Sequence, residues 1–228
     1  APPTTAPPTT APPTTAPPTT ALPTTAPPTT VPQHQLPAWT GSAGPIGPEL
    51  AEQMTGISWH EGCPVPLADL RHLRLAHVGF DGRAHTGELV VHADAVDAVL
   101  GAFRSMYQAR FPIERVTLVD EAGGSDDAAM AANLTTAFNC RRVTGGSGWS
   151  EHSYGRAIDI NPLQNPYVSS SGTVLPPGGA DYLDRSSGAI GLIAEGSAAV
   201  AAWDAVGWHW GGRWQSIKDY QHFSASGR

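Results

Sequence analysis

The strongest hydrophobic pattern lies in residues 94–110. There Val96, Val99, Leu100, Phe103, Met106 and Tyr107 recur at i, i+3, i+4 and i+7 spacing and predict one amphipathic helix whose apolar stripe belongs to a core. Pro112 stops it. The run Glu-Leu-Val-Val-His at 88–92 reads as a strand entered from a turn at 80–87, and residues 115–120 read as a second strand. Residues 156–160 alternate and are β-branched, which predicts a strand carrying Asp159. Leu67, Leu70, Leu73 and Leu75 are spaced in a way that fits a helix and a strand equally well. Short helices are expected at 48–54 and at 126–132, the latter capped by Ser125, and one or two more within 188–206, ended by Gly207. The proline- and glycine-rich stretch 161–179 is a long loop of the kind that shapes or covers a neighbouring site. Helices and strands alternate irregularly. The expected fold is therefore α+β, a small antiparallel sheet with flanking helices, rather than a doubly wound sheet.

Residues 1–30 follow another rule. They are six pentapeptides, Ala-Pro-Pro-Thr-Thr five times and Ala-Leu-Pro-Thr-Thr once, with no charge and no aromatic ring. Such a segment buries too little surface to offset chain entropy, and its paired prolines favour an extended polyproline II arm of roughly 90 Å. Its threonines suit O-glycosylation, as in mucin-like stalks. With a linker taken to end at residue 44, the expected organisation is a disordered stalk, 1–44, and one domain, 45–228.

A net charge of −7 argues against nucleic acid as a partner, and no apolar run reaches the roughly 20 residues of a membrane span. A monomer is expected. The two cysteines, Cys63 and Cys140, are far apart and form no Cys-x-x-Cys pair, so a zinc-thiolate site is not indicated. Outside the cell they would pair as a disulfide; the alternative is two buried thiols.

Candidate chemistry is confined to two stretches. His152 precedes Asp159 by seven residues within Ser-Glu-His-Ser-Tyr-Gly-Arg-Ala-Ile-Asp, and Asp219 precedes His222 by three within Lys-Asp-Tyr-Gln-His-Phe. Two imidazoles and a carboxylate suit Zn²⁺, which takes three protein ligands in catalytic sites and leaves a fourth position open. The spare carboxylate is what a metal hydrolase needs as a general base. His34, His60, His72, His77, His85 and His92 lack comparable surroundings and read as surface or satisfied core residues. His209 is a competing ligand by type, but Trp208, Trp210 and Trp214 around it favour a packed or substrate-facing wall.

The pattern Ser150-x-His152-x-x-Gly155-x-Ala157-x-Asp159, followed by Trp210-Gly-Gly-x-Trp214 and Asp219-x-x-His222-Phe223, resembles the VanY-like zinc D-alanyl-D-alanine carboxypeptidases. That family (LAS-type metallopeptidases) also includes L-alanyl-D-glutamate endopeptidases. The resemblance implies a small α+β domain shared with hedgehog signalling domains, with His152, Asp159 and His222 as zinc ligands. Asp219 would be the acid/base that deprotonates water and later protonates the leaving amine. Ser150 would stand near the substrate carboxylate. The substrate would be a peptidoglycan stem peptide cut next to a D-amino acid, and the protein would be secreted or cell-wall associated. An L-Ala-D-Glu endopeptidase or phage lysin and a non-catalytic zinc-containing cell-wall binding module are the alternatives. Many relatives carry a substrate-binding arginine in a turn where this chain has Glu-Ala-Gly-Gly-Ser at 121–125; Arg141 is the expected replacement, ahead of Arg142 and Arg156.

Overall fold

The computed structural model describes residues 35–143 and 146–227. The pentapeptide arm lies outside them. In chain order the elements are β1 (Gly41–Pro45), α1 (Pro48–Met54), β2 (Leu70–Val78), β3 (Ala84–His92), α2 (Val96–Gln108), β4 (Arg115–Val116), α3 (Asp126–Ala131), β5 (Leu134–Thr135), β6 (Ala157–Asp159), β7 (Tyr167–Val168), β8 (Val174–Leu175), α4 (Ala198–Asp204), β9 (His209–Trp210), β10 (Lys218–Asp219) and β11 (His222–Ser224). Three small antiparallel sheets, β1-β2-β3, β6-β11-β9 and β10-β7-β8, accompany one parallel pair, β4-β5. The fold is mixed α+β with few helices, in agreement with the hydrophobic pattern.

The helix expected at 94–110 is α2, preceded by a 3-10 turn at Ala93–Ala95. Val99, Phe103, Met106 and Tyr107 of its stripe are buried. Val99, Phe103 and Met106 meet Leu73, Leu75, Leu89 and Val91 of β2 and β3 in the main core, while Tyr107 packs with Ala76 and Val78 in a smaller cluster. The aromatic centre of that core is Trp203 of α4, edge-on to Phe103 (centroids 6.1 Å apart) and stacked on Phe223 (5.4 Å). Each such ring contributes on the order of 2–3 kcal/mol by leaving water. Phe223 is flanked by His222 on β11, so the packing that secures the core also places the candidate site.

Several expectations change. Within the stretch expected to be linker up to residue 44, Gly41–Pro45 forms a strand that pairs with β2 from Gly41↔Leu75 to Pro45↔Arg71. This strand has no large apolar side chain for pattern reading to catch; it is held by backbone hydrogen bonds and by Trp39, whose Nε1 donates to Ala76 O at 3.0 Å. The ambiguous leucine segment is a 3-10 turn at Leu67–Asp69 followed by strand β2. The second strand keeps only Arg115 and Val116, because a 3-10 turn takes over at Val119–Ala122. Within 188–206 only Ala198–Asp204 is α-helical.

Cys63 and Cys140 form a disulfide across 77 residues, in a second apolar cluster with Met54, Val65, Leu70, Val90, Leu118 and Phe138. Closing a loop of that length removes unfolded-state entropy worth about 4 kcal/mol. Changing both cysteines to serine is expected to lower the melting temperature by more than 10 °C; an unchanged Tm in calorimetry would show that the bond does not hold the fold.

His77 on β2 is buried, and its Nδ1 has no hydrogen-bond partner among the described residues. Burial, and secondarily the neighbouring His85, push its pKa down to about 4, against an opposing effect from Asp81. The folded protein therefore resists a proton that the unfolded chain accepts near 6.5. The stability is present above pH 6.5 and is lost as the pH falls towards 4, by about 3 kcal/mol. Denaturant unfolding at pH 7 and pH 4 should show this loss, and His77→Phe should flatten it. Equal slopes in the two proteins would assign the acid sensitivity elsewhere.

Candidate metal centre

His152 is carried by a 3-10 turn, Glu151–Tyr154, whose N-cap is Ser150; the serine Oγ accepts a hydrogen bond from His152 N at 3.3 Å. Gly155 ends the turn in the left-handed region, φ +64°. A side chain there would also collide with the β3 backbone, since an added Cβ would lie 2.5 Å from His92 N. Both requirements call for glycine. The chain then enters β6, which pairs with β11 so that Asp159 faces His222. On its other edge, Asp159 exchanges both backbone hydrogen bonds with Thr136, at 3.0 and 3.1 Å. The two sequence-distant stretches thus meet as neighbouring strands.

His152 Nδ1 donates to Ala137 O at 2.6 Å, which fixes the tautomer and leaves Nε2 as a lone-pair donor towards the site. Nε2 lies 3.3 Å from His222 Nδ1 and 3.2 Å from Asp159 Oδ2, and His222 Nδ1 lies 3.0 Å from Asp159 Oδ1. Ligand atoms about 2.0–2.1 Å from a tetrahedral zinc would be about 3.3 Å from one another. The donor set and its edges fit such an ion. Burial pushes the Asp159 carboxyl up, but the charges and hydrogen bonds of His152 and His222 outweigh it and hold the group well below the usual carboxylate range. It is ready to act as an anionic ligand.

Asp219, at the end of β10, has a buried Oδ1 with no hydrogen-bond partner among the described residues. Burial, and then the charge of Asp159, push its pKa up to about 7, while His222, His152 and Arg141 act in the opposite direction. Neighbouring carboxylates with pKa values driven apart in this way suit a division between ligand and proton carrier.

These groups line a cavity of about 630 Å³, within the range of small-molecule and peptide sites. Its other lining residues include Ser150, Trp149, Tyr154 and Trp214, together with Tyr167 and Leu175 from the 161–179 loop, which shapes the site as expected. Trp208 and Trp210 are instead core residues.

Arg141 also lines the cavity. Its guanidinium is paired with Asp126, which further accepts from Asn139 Nδ2 at 2.8 Å. The two alternatives are engaged elsewhere: Arg142 lies 3.7 Å over the Trp149 ring, and Arg156 pairs with Asp94 at 2.6 Å. His209 is not brought to the site. It is exposed on β9 opposite Ser224 and does not line the cavity, because its neighbours Trp208 and Trp210 are the residues turned inward.

His60 stands near Cys63 and Cys140, but the sulfurs are bonded to each other and offer no thiolate. Met130, Trp149 and Gln221 are among the wall positions that sequence reasoning missed; none has a spacing signal, since they come from a six-residue helix, an irregular loop and a strand connection. Among the described residues no helix is long and apolar enough to cross a membrane.

No curated protein and no solved structure matches this chain. A family model described as D-alanyl-D-alanine carboxypeptidase matches residues 144–225, just over a third of the chain and the segment that holds His152, Asp159, Asp219 and His222. Over these residues the match supports the VanY-like peptidase family that the motif resembles.

Proposed function

We propose that this protein is a zinc metallopeptidase that hydrolyses peptidoglycan stem peptides next to a D-amino acid, in the manner of a D-alanyl-D-alanine carboxypeptidase. The observation that carries the reading is the convergence of His152 Nε2, Asp159 and His222 Nδ1 within 3.0–3.3 Å of one another, in a cavity that also holds Asp219, whose Oδ1 has no hydrogen-bond partner among the described residues. A purely structural zinc site is closed by four protein ligands, whereas this cluster has three members and Asp219 stands outside it, which supports a catalytic site.

His152, Asp159 and His222 would hold the ion, which when bound supplies Lewis acidity, making water more acidic and polarising a carbonyl. Asp219 then takes a proton from the attacking water as the new carbon–oxygen bond forms. It returns that proton to the amine nitrogen as the carbon–nitrogen bond breaks, so the carboxylate is regenerated. Arg141, steadied by Asp126, would receive the C-terminal carboxylate of the peptide in bidentate fashion. Ser150 would contribute through its place on the cavity wall, with its hydroxyl already capping the His152 turn. The threonine-proline arm would act as a spacer for a secreted or cell-wall-associated monomer.

Mass spectrometry of muropeptides incubated with the protein, with and without a zinc chelator, tests this reading. Loss of one terminal alanine that the chelator blocks is the expected result. Release of a fragment from within the stem would transfer the activity to an L-Ala-D-Glu endopeptidase. Intact muropeptides with zinc still bound would leave a binding module.

A further inference from the structure

One buried polar group of the cavity has no part in this scheme. Gln221 lies in the connection between Asp219 and His222 and is 2% exposed. Its backbone carbonyl accepts from Ile160 N at 3.0 Å, which pins the connection against the chain leaving β6. Its side-chain Nε2 lies 3.5 Å from Met130 Sδ on α3, and its Oε1 is buried with no hydrogen-bond partner among the described residues. A thioether accepts but does not donate, so the nitrogen belongs on the Met130 side and the oxygen is the end left over.

An unmet buried acceptor costs about 1–3 kcal/mol, and an apolar residue of the same shape would avoid that cost. In the wall of a cavity, two residues from the proposed proton carrier and adjacent to a proposed ligand, such an oxygen has the character of a group that waits for a donor. Sites of this kind discriminate strongly, because a ligand lacking the matching donor leaves the buried oxygen unpaired.

We infer that Gln221 is a substrate-binding residue whose Oε1 accepts a backbone N–H of the bound peptide and sets its register against the ligand cluster. The inference rests on the peptidase reading given above. The donor is a neutral amide rather than an ammonium group. Gln221 and the Met130 thioether beside it carry no charge, and burying an ammonium against a neutral acceptor costs more than one hydrogen bond returns.

The experiment compares the wild type with Gln221→Met, a change close in length and volume, on a stem pentapeptide and on analogues N-methylated at each non-scissile amide. KM should rise about tenfold in the variant with kcat held within about twofold, the worth of one hydrogen bond, while Tm stays level or rises. One N-methylated peptide should cost the wild type the same factor and cost the variant nothing further. Unchanged KM, or an N-methyl penalty equal in both proteins, would overturn the inference; a fall in Tm with unchanged KM would make Gln221 a packing residue. If the wild type binds the peptides without cutting them, the peptidase reading fails alone and the same comparison is read from Kd. If it neither binds nor cuts, both fail.

Discussion

Asp219→Asn is expected to lower kcat by about a hundredfold to ten-thousandfold while the protein keeps its zinc. The change preserves shape and removes only the ability to carry a proton. The expectation follows from position. Asp219 lies outside the His152–Asp159–His222 cluster, lines the same cavity, and presents a buried oxygen that nothing among the described residues engages. A carboxylate tied down by a salt bridge would be a poor base; this one is available and is pushed up towards neutrality by burial and by the charge of Asp159. Steady-state kinetics combined with elemental analysis separates the possibilities. Retained turnover would remove Asp219 from the chemistry. Lost turnover accompanied by lost metal would make it a ligand, contrary to the geometry.

The parts of this molecule that could be read from sequence are those with a period or a spacing. The stripe of α2 was legible because six apolar residues repeat at helical intervals, and the site because each imidazole stands at a fixed distance from a carboxylate in a glycine- or aromatic-rich setting. What escaped depends on contacts between distant segments. In the sequence Gly87, a glycine after a polar run, reads as the end of a turn. It instead lies within β3, where an added Cβ would come 2.3 Å from Val116 Cβ, so its smallness serves strand packing. Strand β1 is recruited through its backbone and leaves no trace in hydrophobicity. His209 looked eligible by type and proximity, yet period-two alternation turns it outward while Trp210 faces the core. Gln221 carries no local signal at all; its significance appears only when the atoms around its amide are known.

The second large effect concerns His222. His222→Ala should abolish stoichiometric zinc binding, whereas His209→Ala should leave it intact. Within the cluster the two imidazole nitrogens lie 3.3 Å apart and each has an Asp159 oxygen at 3.0–3.2 Å, so removal of one ligand opens a whole face of the coordination shell. Two remaining ligands, His152 and Asp159, fall short of the three that catalytic zinc sites provide, and the affinity should fall by more than the 10- to 100-fold typical of losing an outer partner. No nearby group compensates. His209 is exposed on the neighbouring strand, and Asp219 would have to give up its distance from the cluster to take the place. Elemental analysis after dialysis against a weak chelator reads the result directly. Full occupancy in His222→Ala would dissolve the proposed ligand set, and with it the reason Asp159 is held anionic by two imidazoles. Zinc lost from His222→Ala but kept by His209→Ala and Asp219→Asn would place three ligands and a proton carrier in the arrangement the strand pairing of β6 and β11 creates.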